Sequence, residues 1–228
     1  MVRHQSLVLV GSIPTPKFFY LTYKKFRGWI TQVALEFGGT NMLKKRELHD
    51  CATLYELITH PDVFPFVRQK PSSLEEYIFM TKQMMEAEER GELISRTIID
   101  EWGNPIGVIT LYDINEHAGF LGTWLGKPYH GKGYNSIAKE QFFHELFYEK
   151  EIETIFMRIR QENIRSQKAA EKLPYVIQAN DTRASLLIQI NNNQNGFQYF
   201  LYEIPKDFYT LYCKKQQQPY QPIQILEA

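Results

Sequence analysis

The amino-acid sequence predicts an α+β fold, with a mixed central sheet of about six to seven strands flanked by about four helices. Three observations predict it. Residues 92–125 hold three successive strand-like runs separated by turn residues, which reads as antiparallel pairing. A helical pattern then stands between two further strand patterns, an order that implies a crossover. A long helical stretch, LEEYIFMTKQMMEAEER, precedes the strands and has start and stop signals of its own.

Taken in order, MLKKREL from Met42 reads as a short strand, and Asp50 can cap a helix that carries Leu54, Leu57 and Ile58 on one face. Pro61 and Pro65 interrupt the chain. Ser73 with Glu76 forms a capping box for the long helix, which Gly91 ends, with Leu74, Ile78 and Met85 near one side. Glu92 to Asp100 and Ile106 to Ile114 form a hairpin around Gly103 to Pro105, and AGFLGTWLG supplies a third strand. The next helix places Ala138, Phe142 and Leu146 at fourfold spacing. Ile152 to Ile159 reads as a strand buried on much of both faces. Asn163 opens a helix that Pro174 stops, and FQYFLYEI and FYTLYCK suggest two final antiparallel strands.

Domain organisation follows from these patterns. Residues 42–214 form the main domain and 215–228 a polar tail expected to be disordered. Residues 1–41 look unlike the rest, with an aromatic and basic patch from Phe18 to Trp29. That extension suits an interface-binding arm, or more simply a loosely packed extension or lid, and Met42 is a candidate start of the native chain.

Charge and cysteine content exclude several classes. Lys plus Arg equals Asp plus Glu at 26 each, so no global field gathers nucleic acid or anionic lipid. Any anion site must be local. Cys51 and Cys213 have no metal-ligand spacing and suit a reducing cytoplasm without disulfides or zinc. No apolar run approaches the ~18 residues of a membrane helix.

The chemistry concentrates in HGKGYN, His130 to Asn135, at the mouth of a helix. Backbone N–H groups from Gly131 to Ser136 there lack helical acceptors, and glycine lets phosphate oxygens approach the main chain. Lys132 adds a cation at the rim. On its own the turn is equally a tight connection with a glycine at positive φ. The pattern GxxxxGK[ST] does not occur, and a dinucleotide fingerprint lacks its third glycine. About thirty residues on stands NIRSQKAAEKL.

With both segments in view, the region from Met42 to Lys214 resembles the GCN5-related N-acetyltransferase (GNAT) superfamily, in the branch of ribosomal-protein N-terminal acetyltransferases. The family motif Q/R-x-x-G-x-G/A cradles the pyrophosphate of acetyl-CoA, and His130, Gly133 and Asn135 occupy its defining positions. His130 replaces Gln or Arg, and Asn135 replaces a small residue. The branch also shows Asn, Ser three residues on, then EKLGF; here Asn163, Ser166 and EKLPY match, with Pro174 in place of glycine.

The resemblance implies the GNAT fold, with two adjacent parallel strands, TWLG and IETIFMRI, splayed apart around the pantetheine. It implies that Thr123, Trp124 and Leu125, the stretch His130, Gly131, Lys132, Gly133, Tyr134, Asn135 and Ser136, and Asn163 bind acetyl-CoA. Ser166 is then a candidate acid or partner of the leaving thiolate, although read alone it is equally a first-turn helix residue. Glu101, Asp113, Glu116 and His117 lie near strand ends that can face the cleft, and His117 is the candidate base, since imidazole has the best ordinary pKa for neutral pH. His144 reads as structural.

The expected activity is transfer of acetyl to a primary amine, on a protein N-terminus or a small molecule, by direct attack on the thioester. A non-catalytic acyl-CoA-binding or regulatory module on the same scaffold is the alternative. Expected partners are acetyl-CoA and an amine, with a homodimer allowed and no nucleic acid, membrane or metal. Tyr77, Glu86, Glu88, Glu89, Tyr202 and Glu203 suit a cationic acceptor, or else a solvated face.

Overall fold

In the computed structural model, which describes residues 41–192 and 196–217, the strand-like runs build one seven-stranded sheet. Strands β1 (Leu43–Lys45), β2 (Ile94–Ile99), β3 (Pro105–Asn115) and β4 (Ala118–Leu125) are consecutive and antiparallel. The second half holds β5 (Thr154–Arg160), β6 (Ile177–Gln178) and β7 (Tyr199–Pro205), giving the order β1-β2-β3-β4-β5-β7-β6. Six α-helices flank it among the described residues, two more than the sequence led us to expect.

Helices α1 (Cys51–Ile58) and α2 (Leu74–Glu89) cover one face. Cys51, Leu54 and Ile58 of α1 pack with Tyr77 of α2 and Val108 of β3, with Trp124 of β4 against them. Ser73 caps α2 by accepting from the Glu76 N–H at 3.2 Å. Glu76 in turn accepts from the N–H of Ser72, one residue outside the expected box. The fully buried side of α2 is Tyr77, Thr81, Met84 and Ala87, while the expected Leu74, Ile78 and Met85 are half-buried, Leu74 and Ile78 against the same core. The cause is polar: buried Arg46 donates to Tyr77 Oη and Thr81 Oγ1, which fixes the helix rotation. Gly91 ends the helix at φ +76°.

The opposite face belongs to α3 (Tyr134–Tyr148), which buries Ala138, Phe142 and Leu146 at the expected spacing. The connection β4–α3–β5 is the crossover between parallel strands. Buried Arg96 on β2 bridges Glu88 of α2 at 2.6 Å and Glu145 of α3, so both carboxylates compensate one guanidinium.

The expected terminal hairpin is not formed. FYTLYCK lies in helix α6 (Lys206–Gln217), which runs on from β7 and continues three residues into the polar tail. Tyr209 is buried against Phe143, Phe147 and Tyr175, and with Tyr175 it donates to Glu140 of α3. Helix α4 (Ile164–Glu171) follows β5, and α5 (Ala184–Asn191), which the sequence reading missed, packs Leu186, Leu187 and Ile190 on Phe156 and Leu201. No helix among the described residues is long and apolar enough to cross a membrane. The extension before Asn41 and the tail after Gln217 lie outside the described residues.

Candidate active site

The site begins where pairing between β4 and β5 stops. The two strands are matched only at Ala118, Gly119 and Phe120, opposite Thr154, Ile155 and Phe156. Beyond that point β4 stays paired to β3 through Leu125, and β5 to β7 through Arg160, but they no longer pair with each other. A fork results. Its β4 edge, Leu121 to Leu125, has no strand partner on the β5 side among the described residues.

Thr123, Trp124 and Leu125 therefore form one wall of the fork, and the chain turns from there through a short 3-10 segment, Lys127–Tyr129, into α3. Gly131 and Gly133 adopt φ +75° and +93°, a left-handed region that costs other residues about 1–2 kcal/mol. The space around a Cβ at Gly131 is open, so backbone conformation rather than crowding demands glycine there. Ser136 and Ile137 direct their N–H groups to the Gly133 carbonyl, at 2.9 and 3.3 Å. The N–H groups of Gly131, Lys132, Gly133 and Asn135 have no acceptor among the described residues. Thus the anion-seeking stretch is shorter than expected at its Ser136 end.

The two departures from the family motif have local explanations. His130 Nε2 lies 2.9 Å from the Leu125 carbonyl, a geometry in which Nε2–H donates and closes the turn. Its buried Nδ1 has no hydrogen-bond partner among the described residues. Asn135 Oδ1 accepts from Thr123 Oγ1 at 3.3 Å, so its side chain lies against β4 and ties the helix to the fork. Lys132 is exposed, with Nζ 5.9 Å from the Tyr129 ring. Tyr134 donates to Glu101 at 2.7 Å; burial and that carboxylate hold its phenol above the ordinary range.

Asn163 and Ser166 follow the carboxyl end of β5, the same end of the parallel pair as the turn after β4. Asn163 Oδ1 accepts from the Ser166 N–H at 3.1 Å, an N-cap for α4 that leaves the Asn163 amide NH2 for other partners. The Ser166 hydroxyl is half-buried and has no hydrogen bond among the described residues. Gln167, a residue sequence reasoning overlooked, donates to the Arg160 and Gln161 carbonyls and stitches β5 to α4. Ligand sites at the carboxyl ends of parallel strands are the rule in such arrangements.

His117 is not brought to these groups. It stands three residues below the fork, ~10 Å along the strand at ~3.3 Å per residue. Its Nδ1 is 3.0 Å from the Glu151 carbonyl, and its own carbonyl accepts from Glu153 and Thr154. Asp113 and Glu116 share that turn, Asp113 paired with Arg68. His144 is exposed and stacks on Tyr148. The expected acidic acceptor surface is also dispersed. Glu88 holds Arg96, buried Glu203 holds Arg183, Tyr77 receives Arg46, and Tyr202 donates to Glu171.

Cations occupy the fork instead. Arg158 of β5 lies over the Phe120 ring at 5.4 Å, and Arg68 over the Tyr112 ring at 4.4 Å. Lys139, one turn below Asn135 on the same stripe of α3, has no ion pair among the described residues, and burial lowers its ammonium to about 8. The spacing Arg158, Arg160 in an otherwise apolar strand was the available sequence signal, since alternate residues share a face.

Residues 42–176 match a family model described as an acetyltransferase (GNAT) domain. No curated protein matches the chain. Among solved structures, the chain is similar to a ribosomal-protein alanine acetyltransferase from Vibrio fischeri, with TM-score 0.58 and 16% identity over 72% of this chain and 92% of that one. A nucleotide-linked sugar GNAT gives 0.59 and 15%, over 76% and 90%. A mutant spermidine N-acetyltransferase from Vibrio cholerae gives 0.57 and 14%, over 74% and 97%. These likenesses concern the fold. With more than half of its length matched by the family model, the chain belongs to the acetyltransferase (GNAT) family.

Proposed function

We propose that this protein transfers an acetyl group from acetyl-CoA to a primary amine. The observation that carries the reading is the fork between β4 and β5 opening onto the Gly131–Gly133 turn, where unengaged N–H groups meet the start of a fifteen-residue helix. Acetyl-CoA supplies a thioester carbonyl already activated toward amines.

This chain's residues bind and orient. The N–H groups of Gly131, Lys132 and Gly133, with that of Asn135 in the first turn of α3, hold the pyrophosphate, and Lys132 adds charge at the rim. The free edge of Thr123, Trp124 and Leu125 and the Asn163 amide hold the pantetheine. A main-chain N–H at Trp124 or Leu125 polarises the acetyl carbonyl. The nitrogen of the neutral amine bonds to the acetyl carbon and gives up one proton, the carbon–sulfur bond breaks, and the departing thiolate, hydrogen-bonded by the Ser166 hydroxyl, takes up a proton to leave as the coenzyme A thiol. His117 takes no part in this account because its ring is held by Glu151 below the fork.

Calorimetry with coenzyme A, followed by thiol release from acetyl-CoA across a panel of amines, tests the reading. We expect binding and amine-dependent release. Binding without release under any amine leaves a non-catalytic acyl-CoA module, and no binding at all overturns the cofactor assignment. Gly133→Val should raise the acetyl-CoA KM at least tenfold, and unchanged kinetics discard the cradle. Ser166→Ala should lower kcat with little change in KM; a lower melting temperature with unchanged kcat makes Ser166 a helix residue only.

A further inference from the structure

We propose that Arg158, with Arg68 beside it, is a specificity subsite that binds an anionic group, a carboxylate or phosphate, carried by the amine acceptor. The proposal rests on the acetyl-transfer reading, and it names the acceptor's chemistry, which that reading leaves open.

Placement comes first. Phe120 and Phe156 are the last matched pair of the parallel strands, and their rings touch at 5.6 Å. Arg158 is two residues past Phe156, so its side chain rises on the same face as those rings, directly at the mouth of the fork. Trp124, of the same parity as Phe120, packs with α1 and α2, whereas Thr123 meets α3. The coenzyme cradle is at the start of α3. Arg158 therefore stands on the face of the fork opposite α3, between the α1–α2 pair that packs on Trp124 and the α5 helix that packs on Phe120 and Phe156.

Charge comes second. Arg158 is half-buried and has no carboxylate partner or hydrogen bond among the described residues; its contact is the Phe120 ring. Burial and then the neighbouring Arg68 lower its guanidinium from the ordinary value, so the site bears the cost of two adjacent cations. The nearby carboxylate, Asp113, is engaged by Arg68 at 3.1 Å. Arg160, on the same face as Arg158, stacks on Phe197 at 3.8 Å and also lacks an acidic partner among the described residues. A planar guanidinium backed by an aromatic ring and short of an acceptor suits bidentate binding of carboxylate or phosphate. It opposes a polycationic acceptor.

The test uses the whole chain and matched amines: glycine against glycinamide, phosphoethanolamine against ethanolamine, and peptides with acidic or basic second residues. Acetyl transfer and direct calorimetric binding are both measured for the wild type, Arg158→Gln and Arg158→Lys. The expected result is a ten- to hundredfold preference in kcat/KM for the anionic member, lost in Arg158→Gln, partly retained in Arg158→Lys, with coenzyme A affinity unchanged. The carboxylate and phosphate pairs show which anion is bound.

The possible failures differ. Transfer with equal or better use of neutral and cationic amines overturns the subsite and leaves the acetyl-transfer reading intact. No transfer, but calorimetric binding of the anionic amines that Arg158→Gln abolishes, overturns the transfer reading and upholds the subsite. Neither transfer nor anion binding overturns both. Loss of coenzyme A affinity in Arg158→Gln assigns the guanidinium to the coenzyme and overturns the proposal. A melting temperature for Arg158→Gln close to the wild type is expected throughout, since no folded partner is lost.

Discussion

Arg96 and Arg158 rise from two strands of the same sheet and lead opposite lives. Arg96, in the continuous antiparallel half, is buried between two carboxylates, Glu88 and Glu145, and donates as well to the Ser95 carbonyl. Arg158, where the sheet parts, has a ring beneath it and no acidic partner among the described residues. Lys139, on α3, is also without a counter-charge among the described residues. The counter-charges of Arg96 come from within the chain, whereas Arg158 and Lys139 have none among the described residues.

That contrast can be broken by substitution, and the largest effect is expected at Arg96. Arg96→Met leaves Glu88 and Glu145 without their shared cation and should cost about 3–5 kcal/mol in urea unfolding. A loss near zero would remove the distinction between the two halves.

Lys139 should behave in the reverse sense. Its folded value, about 8, lies below the ordinary 10.5, so the unfolded chain holds the proton more tightly. The penalty is full below about pH 8 and fades as pH rises toward 10.5, so this residue's contribution makes stability increase across that window. Lys139→Met should therefore gain about 1–3 kcal/mol at pH 7 and flatten that part of the pH–stability curve. Equal slopes for wild type and variant would show that the ammonium has found a partner.

The smallest change is expected at Arg158 itself. Arg158→Met removes a charge with no folded partner and should shift stability by less than about 1 kcal/mol, in either direction. A loss comparable to that of Arg96→Met would make Arg158 a structural residue and erase the comparison.

Much of the fold was legible because local signals and tertiary demands agreed. The strands from Ile94 to Leu125 carry turn residues between them, and Ala138, Phe142 and Leu146 keep one helical face toward the sheet. FYTLYCK misled because aromatic residues and threonine favour strands, while the spacing of Tyr209 and Cys213 serves a helix equally well. The tertiary context decided it: Glu140 on α3 accepts from Tyr209, a partner 69 residues away. Helix α5 was hidden in a stretch dominated by its polar surroundings. The glycine turn was legible because left-handed backbone demands a particular residue type. The arginine pair was not, because Arg68 lies in an irregular segment between helices and meets Asp113, 45 residues on, only after folding.

The short joint between the parallel strands has a mechanical meaning. Among the described residues the strand pairing between the β1–β4 half of the sheet and the β5–β7–β6 half is confined to Ala118 to Phe120, and just below them the His117 carbonyl is clamped by the Glu153 and Thr154 N–H groups. The joint is thus pinned at one end and free at the other, like a pair of tongs. Leu125 lies five residues above Phe120, ~17 Å along the strand, so a tilt of ~5° about the pin moves the jaw by ~1.5 Å. On this geometry the width of the mouth follows from the angle between the two strands at the pinned end, where the His117 carbonyl is held.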